Sequence, residues 1–366
     1  MSQPLRSGFT TGTCAAAAAK AALLACQGQR PQTVEVFTPQ GRVLTVAVAA
    51  ATANNACGYA EVIKDAGDDP DITHGCKVTA RVAILPQPGV EIAAGEGVGI
   101  VTKPGLSVPH GQPAVNPGPR LMIIRAVEEL LPPGQGALVT VSIPSGAELA
   151  RRTLNPVLGI EGGLSILGTT GIVEPMSEEA FKNSLTPQID VVQALGHESI
   201  VFVPGRIGQD IAVNRCGLPP SMVVQTSNFI GYMLEHAADR GIKQVLIMGH
   251  LGKIVKIAAG IFHTHNRIAD ARLETMGAYA AAAGASQQAV QAILACATTE
   301  AAMIIIKEQN IEHVYSTLAA RASERAERYV FGALTVGTVI ATLQGEIVGL
   351  DENARAIGGS LQWKIL

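Results

Sequence analysis

The histidines His263 and His265 stand at the end of the stretch GKIVKIAAGIFHTHNR, residues 252–267. A His-x-His spacing suggests a metal site, because imidazole nitrogens are common zinc ligands. The apolar residues of this stretch recur with a period near 3.6, which predicts a helix. Residues two apart on a helix diverge by about 200°, so this pair could share an ion only on a strand or after a break beyond Phe262. No cysteine lies nearby, and we predict no metal site in the chain.

The predicted helix would carry a cationic face. At about 100° per residue, one side collects Lys253, Lys256, Gly260, His263 and Arg267. Lysine and arginine side chains on one face suit a ligand with several carboxylates. The alternative is an ordinary basic face in solvent. We interpret His263 as part of the wall of an acidic-ligand site and His265 as a residue packed toward the apolar side.

Glycine-rich or polar loops follow four short apolar segments that we predict to be strands. These loops are GTTGIVEPMS (168–177), PGRIGQD (204–210), QTSNFIG (225–231) and GHLGK (249–253). In parallel α/β sheets, ligands bind beyond the carboxyl ends of the strands, where glycine allows close approach of the backbone. Plain turn chemistry remains the alternative for each loop. The phosphate-loop and dinucleotide fingerprints are both absent, and GEGVG (95–99) is a weak match to a methyltransferase loop.

An acidic stretch, KDAGDDPDITHG, occupies residues 64–75. Its carboxylates and imidazole could hold a hard cation or act in acid–base chemistry. The same residue types also suit a solvated loop with Asx-turns. The spacing is not that of an EF-hand.

Composition limits the class of protein. The chain has 366 residues, 48% of them hydrophobic, and a net charge of −3, which indicates a packed α/β protein of two domains and no nucleic-acid-binding polycation. The six scattered cysteines are expected to be thiols. The Ala-rich N-terminal run resembles a signal peptide, but Lys20 interrupts it, so we predict an amphipathic helix with Thr13 as its N-cap. No apolar run reaches the ~18 residues of a membrane span, and we expect a cytoplasmic protein.

The order of predicted elements changes near residue 158. Before it, we expect an N-terminal α+β domain, 1–158, with a hairpin around the turn at 38–41 and strands near 59–64, 77–85 and 137–143. Helices should follow Pro119 and begin at a Ser145 cap, with a Gly/Pro-rich surface loop between residues 95 and 120. After residue 158, SILG, SIVFVPG, MVVQTS and QVLIMGH alternate with helical patterns, which predicts a Rossmann-like α/β domain, 159–366, with a mainly parallel sheet, C-terminal helices and closing strands.

Several blocks of the chain resemble the cobalt-precorrin-5B C1-methyltransferase family of anaerobic cobalamin biosynthesis. They are SGFTTGTCAAAAAKAAL, IKDAGDDPDITHG, GEGVGIVTKPGL, GTTGIVEPMS, SNFIGYMLE and GHLGKIVKIAAGIFHTHNRIADAR. They occur in order between about Arg6 and Arg272.

The resemblance implies transfer of a methyl group from S-adenosylmethionine to C1 of cobalt-precorrin-5B, giving cobalt-precorrin-6A and S-adenosylhomocysteine. Cobalt would arrive within the tetrapyrrole substrate, and a homodimer is plausible. We place the methyl donor against Gly168, Thr169, Thr170, Gly171, Gly249, His250 and Gly252. We place the carboxylate-fringed macrocycle against Lys64, Asp68, Lys103, Lys253, Lys256 and Arg267. If a general base acts, the candidates are His263 and Asp65.

Two other functions remain open on these residues. One is a different enzyme with the same two-domain fold, such as a kinase or dehydrogenase. The absence of the phosphate-loop and dinucleotide fingerprints argues against it. The other is a tetrapyrrole carrier without catalysis, which a single turnover with labelled methyl donor would distinguish.

Overall fold

We describe the protein from a computed structural model that covers residues 5–54 and 57–364. The chain forms two compact units, Met1–Glu178 and Glu179–Leu366; the outermost residues of both predicted domains, 1 and 366, lie outside the described part. The boundary falls about twenty residues beyond the predicted one at 158. The reason is that residues 160–173 contribute two short strands that pair with strands of the first unit.

In its described residues, the first unit combines a five-stranded sheet with four helices. Its strands are β1 Gly8–Phe9, β2 Thr33–Phe37, β3 Val43–Ala47, β4 Ala50–Asn54, β5 Cys57–Ile63, β6 Lys77–Leu85, β7 Gly89–Ala94, β8 Ile100–Val101, β9 Gly136–Ser142, β10 Ile160–Glu161 and β11 Ile172–Val173. Its helices are α1 Thr11–Cys26, α2 Pro117–Glu128, α3 Gly146–Ala150 and α4 Asn155–Leu158. The main sheet has the order β4-β5-β6-β9-β7, while β2 and β3 form the predicted hairpin.

Helix α1 is the core of the first unit. Its alanines from Ala15 to Ala19 are fully buried, so the helix is apolar on nearly every side and the predicted amphipathic character is wrong. Small side chains let it lie so close to β5 that a Cβ on Gly58 would be 1.8 Å from the carbonyl oxygen of Ala22. Thr10, not Thr13, is the N-cap: its Oγ1 accepts from the Thr13 amide at 3.2 Å.

The second unit is built on a mixed, mainly parallel sheet. Its strands are β12 Ser199–Val203, β13 Val223–Gln225, β14 Gln244–His250, β15 Thr335–Ala341 and β16 Ile347–Leu350. Its helices are α5 Glu178–Leu185, α6 Pro187–Ala194, α7 Arg206–Asp210, α8 Ile230–Asp239, α9 Leu251–Ala258, α10 Arg272–Ala282, α11 Gln287–Leu294, α12 Thr299–Glu308, α13 Val314–Tyr329 and α14 Glu352–Ser360, with a π-turn at Ile211–Arg215 and a 3₁₀-turn at Pro220–Met222.

The strand order of the second unit is β13-β12-β14-β15-β16, with β16 antiparallel to the others. The predicted parallel sheet and closing strands are therefore confirmed. The predicted strand SILG is wrong, because Ile166 makes only an isolated bridge with Val115 in the first unit. All six cysteines are free, as predicted. In the described segments, no helix is both long and apolar enough to cross a bilayer.

Candidate functional site

Three segments predicted as loops of the second unit lie at one edge of its sheet. The strands β12, β13 and β14 are parallel, so segments 204–210, 225–231 and 249–253 lie at their carboxyl ends along the same edge, as predicted. They consist largely of strand ends and helix starts, since α7 begins at Arg206 and α9 begins at Leu251 directly after β14. β12 lies between the strand that follows it in sequence, β13, and the later strand β14. The strand order thus reverses beside β12, and in doubly wound sheets such a point opens a crevice in which ligands bind.

A cavity of about 250 Å³ lies at this reversal. It is lined by Pro204, Gly205, Arg206, Ile207, Gly208, Gly249, His250 and Lys253. The glycines keep the walls close: a Cβ on Gly208 would be 2.3 Å from the carbonyl oxygen of Met248 on β14. A side chain at Gly252 would press on the His250 ring, at 3.1 Å from its Cε1 atom. The predicted cofactor residues Gly249, His250 and Gly252 therefore line or border one concave site.

His250 is the N-cap residue of α9 and is extended, with φ −73° and ψ 153°. Its Nδ1 is buried and has no hydrogen-bond partner within the described part of the chain. Burial lowers the pKa of this imidazole, and the nearby Lys253 ammonium lowers it further. His250 therefore presents a neutral ring to the cavity at neutral pH.

Lys253 extends from the first turn of α9 to the cavity, and its Nζ donates to Oδ1 of Asn228 in the loop after β13. Burial lowers the pKa of Lys253, and the charge of Lys256 adds to that effect. Arg206, the first residue of α7, is exposed and lines the cavity. In residues 5–54 and 57–364, neither cation has a carboxylate within ion-pair distance.

The helix predicted over residues 252–267 ends early. α9 stops at Ala258 because Gly260 adopts a left-handed conformation, φ +87°. The amide of Ile261 donates to the Lys256 carbonyl at 2.9 Å and that of Gly260 to the Ile257 carbonyl at 2.8 Å, the pattern of a Schellman C-cap. The predicted cationic face is therefore wrong.

The predicted role of Lys256 as a substrate-binding residue also needs correction. This side chain is only 1% exposed, and its Nζ donates to the carbonyl oxygens of Thr264 (3.1 Å) and Ala269 (2.9 Å) and to Oδ1 of Asn266 (2.7 Å). Burial lowers its pKa. The ammonium ties the loop after α9 to the helix and is not available to a ligand.

The two histidines lie in that loop. The His263 ring packs against the Phe229 ring at an interplanar angle of 44°, with centroids 4.9 Å apart, and the ring centroids of His263 and His265 are 6.4 Å apart. His265 is exposed, so its predicted packing on an apolar face is wrong; its Nδ1 accepts from the Arg267 amide at 3.2 Å. Arg267 is also exposed. The described residues contain no cluster of three potential ligands able to hold a metal ion.

Side chains of the acidic stretch, residues 64–75, are bonded to other residues of the first unit. Lys64 is 1% exposed and pairs with Asp71 at 2.7 Å, so it too is unavailable as a substrate ligand. Two guanidinium hydrogen bonds from Arg6, one of them 2.9 Å, hold the pKa of Asp65 at about 2. Asp68 accepts from the Arg6 amide at 2.6 Å. A carboxyl group with so low a pKa is a poor proton acceptor near neutral pH, which counts against Asp65 as a base.

Asx-turns shape this stretch, as the structural alternative predicted. Oδ1 of Asp65 accepts from the Gly67 amide at 2.9 Å, and Oδ1 of Asp71 accepts from the Thr73 amide at 2.7 Å. Asp69 accepts from the Met176 amide, and Nδ1 of His74 accepts from the Ala66 amide. Nearly every side chain of the acidic stretch therefore has a partner within the fold.

The remaining predicted residues of the first unit also make internal contacts. Lys103 donates to the Val157 carbonyl oxygen at 3.0 Å. Gly168 and Gly171 have φ values of +133° and +77°, and the Gly171 carbonyl accepts from Oγ1 of Thr13 at 2.6 Å.

Within this loop, the Thr169 carbonyl accepts from Gln40, and Thr170 bonds the backbone of Ile172. Residues 168–171 thus lie against the start of α1 and are not a strand-end loop of the parallel sheet. The glycines of GEGVG likewise serve close backbone packing: a Cβ on Gly97 would be 1.9 Å from the Ile143 carbonyl.

Arg206, which lines the cavity, and Asn228, which accepts from Lys253, were not among the predicted site residues. Arg206 belongs to the segment PGRIGQD and Asn228 to QTSNFIG. A cation directly after a strand-end Pro-Gly was a usable signal for Arg206. Nothing in the sequence pairs Asn228 with Lys253.

The chain is similar to known proteins over nearly its whole length. Family models described as CbiD and CbiD, C-terminal domain match residues 1–175 and 263–352. Proteins named cobalt-precorrin-5B C(1)-methyltransferase are similar to it: that of Moorella thermoacetica is 56% identical, covering 98% of both chains. That of Desulfitobacterium hafniense is 48% identical over 96% of this chain and 92% of its own, and that of Methanocaldococcus jannaschii 43% over 93% and 95%.

A crystal structure titled cobalamin biosynthesis protein (CbiD) from Archaeoglobus fulgidus is 29% identical, with a TM-score of 0.40 over 74% of this chain and 84% of that one. The identity to the curated relatives extends well beyond the blocks between Arg6 and Arg272 that first suggested the resemblance. The chain belongs to the CbiD family of cobalt-precorrin-5B C(1)-methyltransferases.

Proposed function

We propose that this chain transfers a methyl group from S-adenosylmethionine to C1 of cobalt-precorrin-5B, giving cobalt-precorrin-6A and S-adenosylhomocysteine. The name shared by its relatives supports the methyl acceptor. The observation that supports the site is the cavity at the β12–β14 reversal, where Arg206 and Lys253 face a concave surface without carboxylate partners among the described residues. We place the methyl donor at this edge of the sheet, with one end in the cavity.

The residues present fit such a donor. S-adenosylmethionine has a carboxylate, which suits the two cations, and Gly249 lets backbone approach a ligand closely. His250, whose pKa is lowered by burial, adds an uncharged residue to the lining. When bound, the donor supplies a methyl group on a sulfonium, which is electrophilic without further activation.

The task of the protein residues is then mainly orientation and exclusion of water. Holding two reactants in line can supply much of a rate enhancement by itself. Lys253 is fixed by Asn228, and the loop carrying Asn228 is bonded to the segment after α9: the Thr264 amide donates to the Asn228 carbonyl at 2.9 Å. His263, packed against Phe229, remains the candidate base of the loop. Cobalt enters as part of the substrate.

We also propose that the second unit is a Rossmann-like domain. Four parallel strands in the order β13-β12-β14-β15 support this, because the order reverses once, as in doubly wound folds.

The proposed function is tested by a single-turnover reaction with methyl-labelled S-adenosylmethionine and cobalt-precorrin-5B. We expect label at C1 of the macrocycle and one equivalent of S-adenosylhomocysteine. Label that stays on the donor, with the macrocycle bound and unchanged, would instead identify a carrier. An H263A variant with unchanged turnover would remove His263 from the catalytic residues.

A further inference from the structure

Two cations in one cavity, Arg206 and Lys253, have no counter-charge among the described residues. Other cations of the second unit, such as Arg240 and Arg272, are paired with Asp190 and Asp270. Arg206 and Lys253 line the same cavity, and in the described part of the chain neither has such a pair. Uncompensated charges beside a concave surface attract an anionic ligand.

Of the two cations, Lys253 gives the stronger evidence for an anionic ligand. It is half-buried, and its side-chain partner is the amide oxygen of Asn228, which carries no formal charge. A cation removed from water without an opposite charge is unfavourable, and a ligand carboxylate would relieve this cost.

Asn228 is itself firmly held. Its Oδ1 also lies 3.4 Å from Oγ1 of Thr264, and its carbonyl accepts from the Thr264 amide. The amide side chain therefore fixes the direction of the ammonium without neutralising it. An aspartate at this position would have neutralised the charge within the protein.

The size of the cavity limits what it holds. Sites that enclose a whole drug-sized ligand span roughly 300–1,000 Å³, whereas this one has about 250 Å³. A small charged group fits better than an adenine ring or a tetrapyrrole.

We propose that this cavity is a carboxylate-binding subsite, in which Arg206 and Lys253 bind the carboxylate and Asn228 positions Lys253. The inference rests on the proposed function for its two possible ligands. The carboxylate belongs either to the amino-acid end of the methyl donor or to an acidic side chain of the macrocycle.

Calorimetric binding distinguishes these sources. The probes are S-adenosylhomocysteine, 5′-methylthioadenosine, which lacks the amino-acid group, and the cobalt-precorrin substrate. With an amino-acid carboxylate in the cavity, R206Q and K253Q each weaken S-adenosylhomocysteine binding about tenfold or more and leave methylthioadenosine binding unchanged. With a macrocycle carboxylate, the same loss appears for the tetrapyrrole alone.

The substitution Asn228→Asp is the sharpest variant. It gives Lys253 a permanent counter-ion, so the ligand should bind about tenfold more weakly while the Tm does not fall. Loss of affinity through misfolding would lower the Tm as well. The exposed residues Lys243 and Arg355 provide matched controls, as K243Q and R355Q.

Two results would overturn the inference, and they differ. If the wild-type protein binds these probes and R206Q, K253Q and N228D bind all of them equally well, the carboxylate subsite and the placement of the methyl donor at this cavity are both wrong, while the proposed methyl transfer stands. If the wild-type protein binds neither S-adenosylhomocysteine nor the tetrapyrrole, both fall together.

Discussion

The Nζ atom of Lys256 lies 2.9 Å from the carbonyl oxygen of Ala269 and is buried at the end of α9. This contact, with the bonds to Thr264 and Asn266, fixes the path of the loop that carries His263. Because the same loop bonds Asn228, the buried ammonium of Lys256 indirectly supports the position of Lys253 at the cavity.

Replacing Lys256 by methionine should destabilise the protein. The change keeps much of the side-chain volume but leaves two carbonyl oxygens and one amide oxygen without their donor, which we expect to cost about 2–3 kcal/mol. Denaturant titration measures the loss, and K243M at an exposed position is the control. Equal stability of K256M and wild type would show that the ammonium does not hold the loop.

His250 should make stability depend on pH. Its folded pKa lies below the ordinary value near 6.5, so the unfolded chain takes up this proton first as the pH falls. The free energy of unfolding of wild type should therefore decrease below about pH 6.5 more steeply than that of H250Q, in which all other groups titrate alike. Parallel curves for the two proteins between pH 7 and 5 would contradict the lowered pKa.

Removing the charge of Lys64 or of Asp71, which form a buried pair, should reduce stability by different amounts. D71N leaves an ammonium that is 1% exposed without a counter-charge, at a cost of about 3 kcal/mol. K64M leaves a carboxylate that is 24% exposed and still bonded to Thr73, so it should cost less. Urea titration of both variants decides the order. A larger loss of stability in K64M than in D71N would contradict this order, and would show that the unpaired carboxylate is costlier than the unpaired ammonium.

Asp65 should be dispensable for methyl transfer. Its carboxylate is engaged by Arg6, and its pKa of about 2 leaves it a weak base. We expect D65N to keep kcat within a few-fold of wild type, with reduced stability that is apparent at pH 7 and disappears as the pH falls toward 2, where the wild-type carboxylate protonates. A loss of kcat of a hundredfold or more in folded D65N would restore Asp65 as a catalytic residue.

The sequence pattern predicted much of the fold because strands and helices follow local periodicity. The strand at 77–85, the hairpin and the parallel sheet of the second unit all lie where alternation or short apolar runs placed them. The end of α9 escaped prediction because the 3.6-residue pattern continues past Gly260, whereas the left-handed glycine ends the helix.

The site was predicted less completely than the fold. Lysines are normally exposed, and the burial of Lys64 and Lys256 depends on partners in loops whose paths periodicity does not encode. The loops around the cavity were identified because they follow strands. The pairing of Lys253 with Asn228 joins residues 25 positions apart through a tertiary contact and could not be predicted.

We propose that the methyl donor binds at the strand reversal of the second unit. A crystal structure of the protein with S-adenosylhomocysteine would show where the donor lies. We expect the ligand against residues 204–208 and 249–253, with its carboxylate on Arg206 or Lys253. Density for the ligand on residues 168–171 of the first unit, with the cavity of the second unit empty, would contradict it.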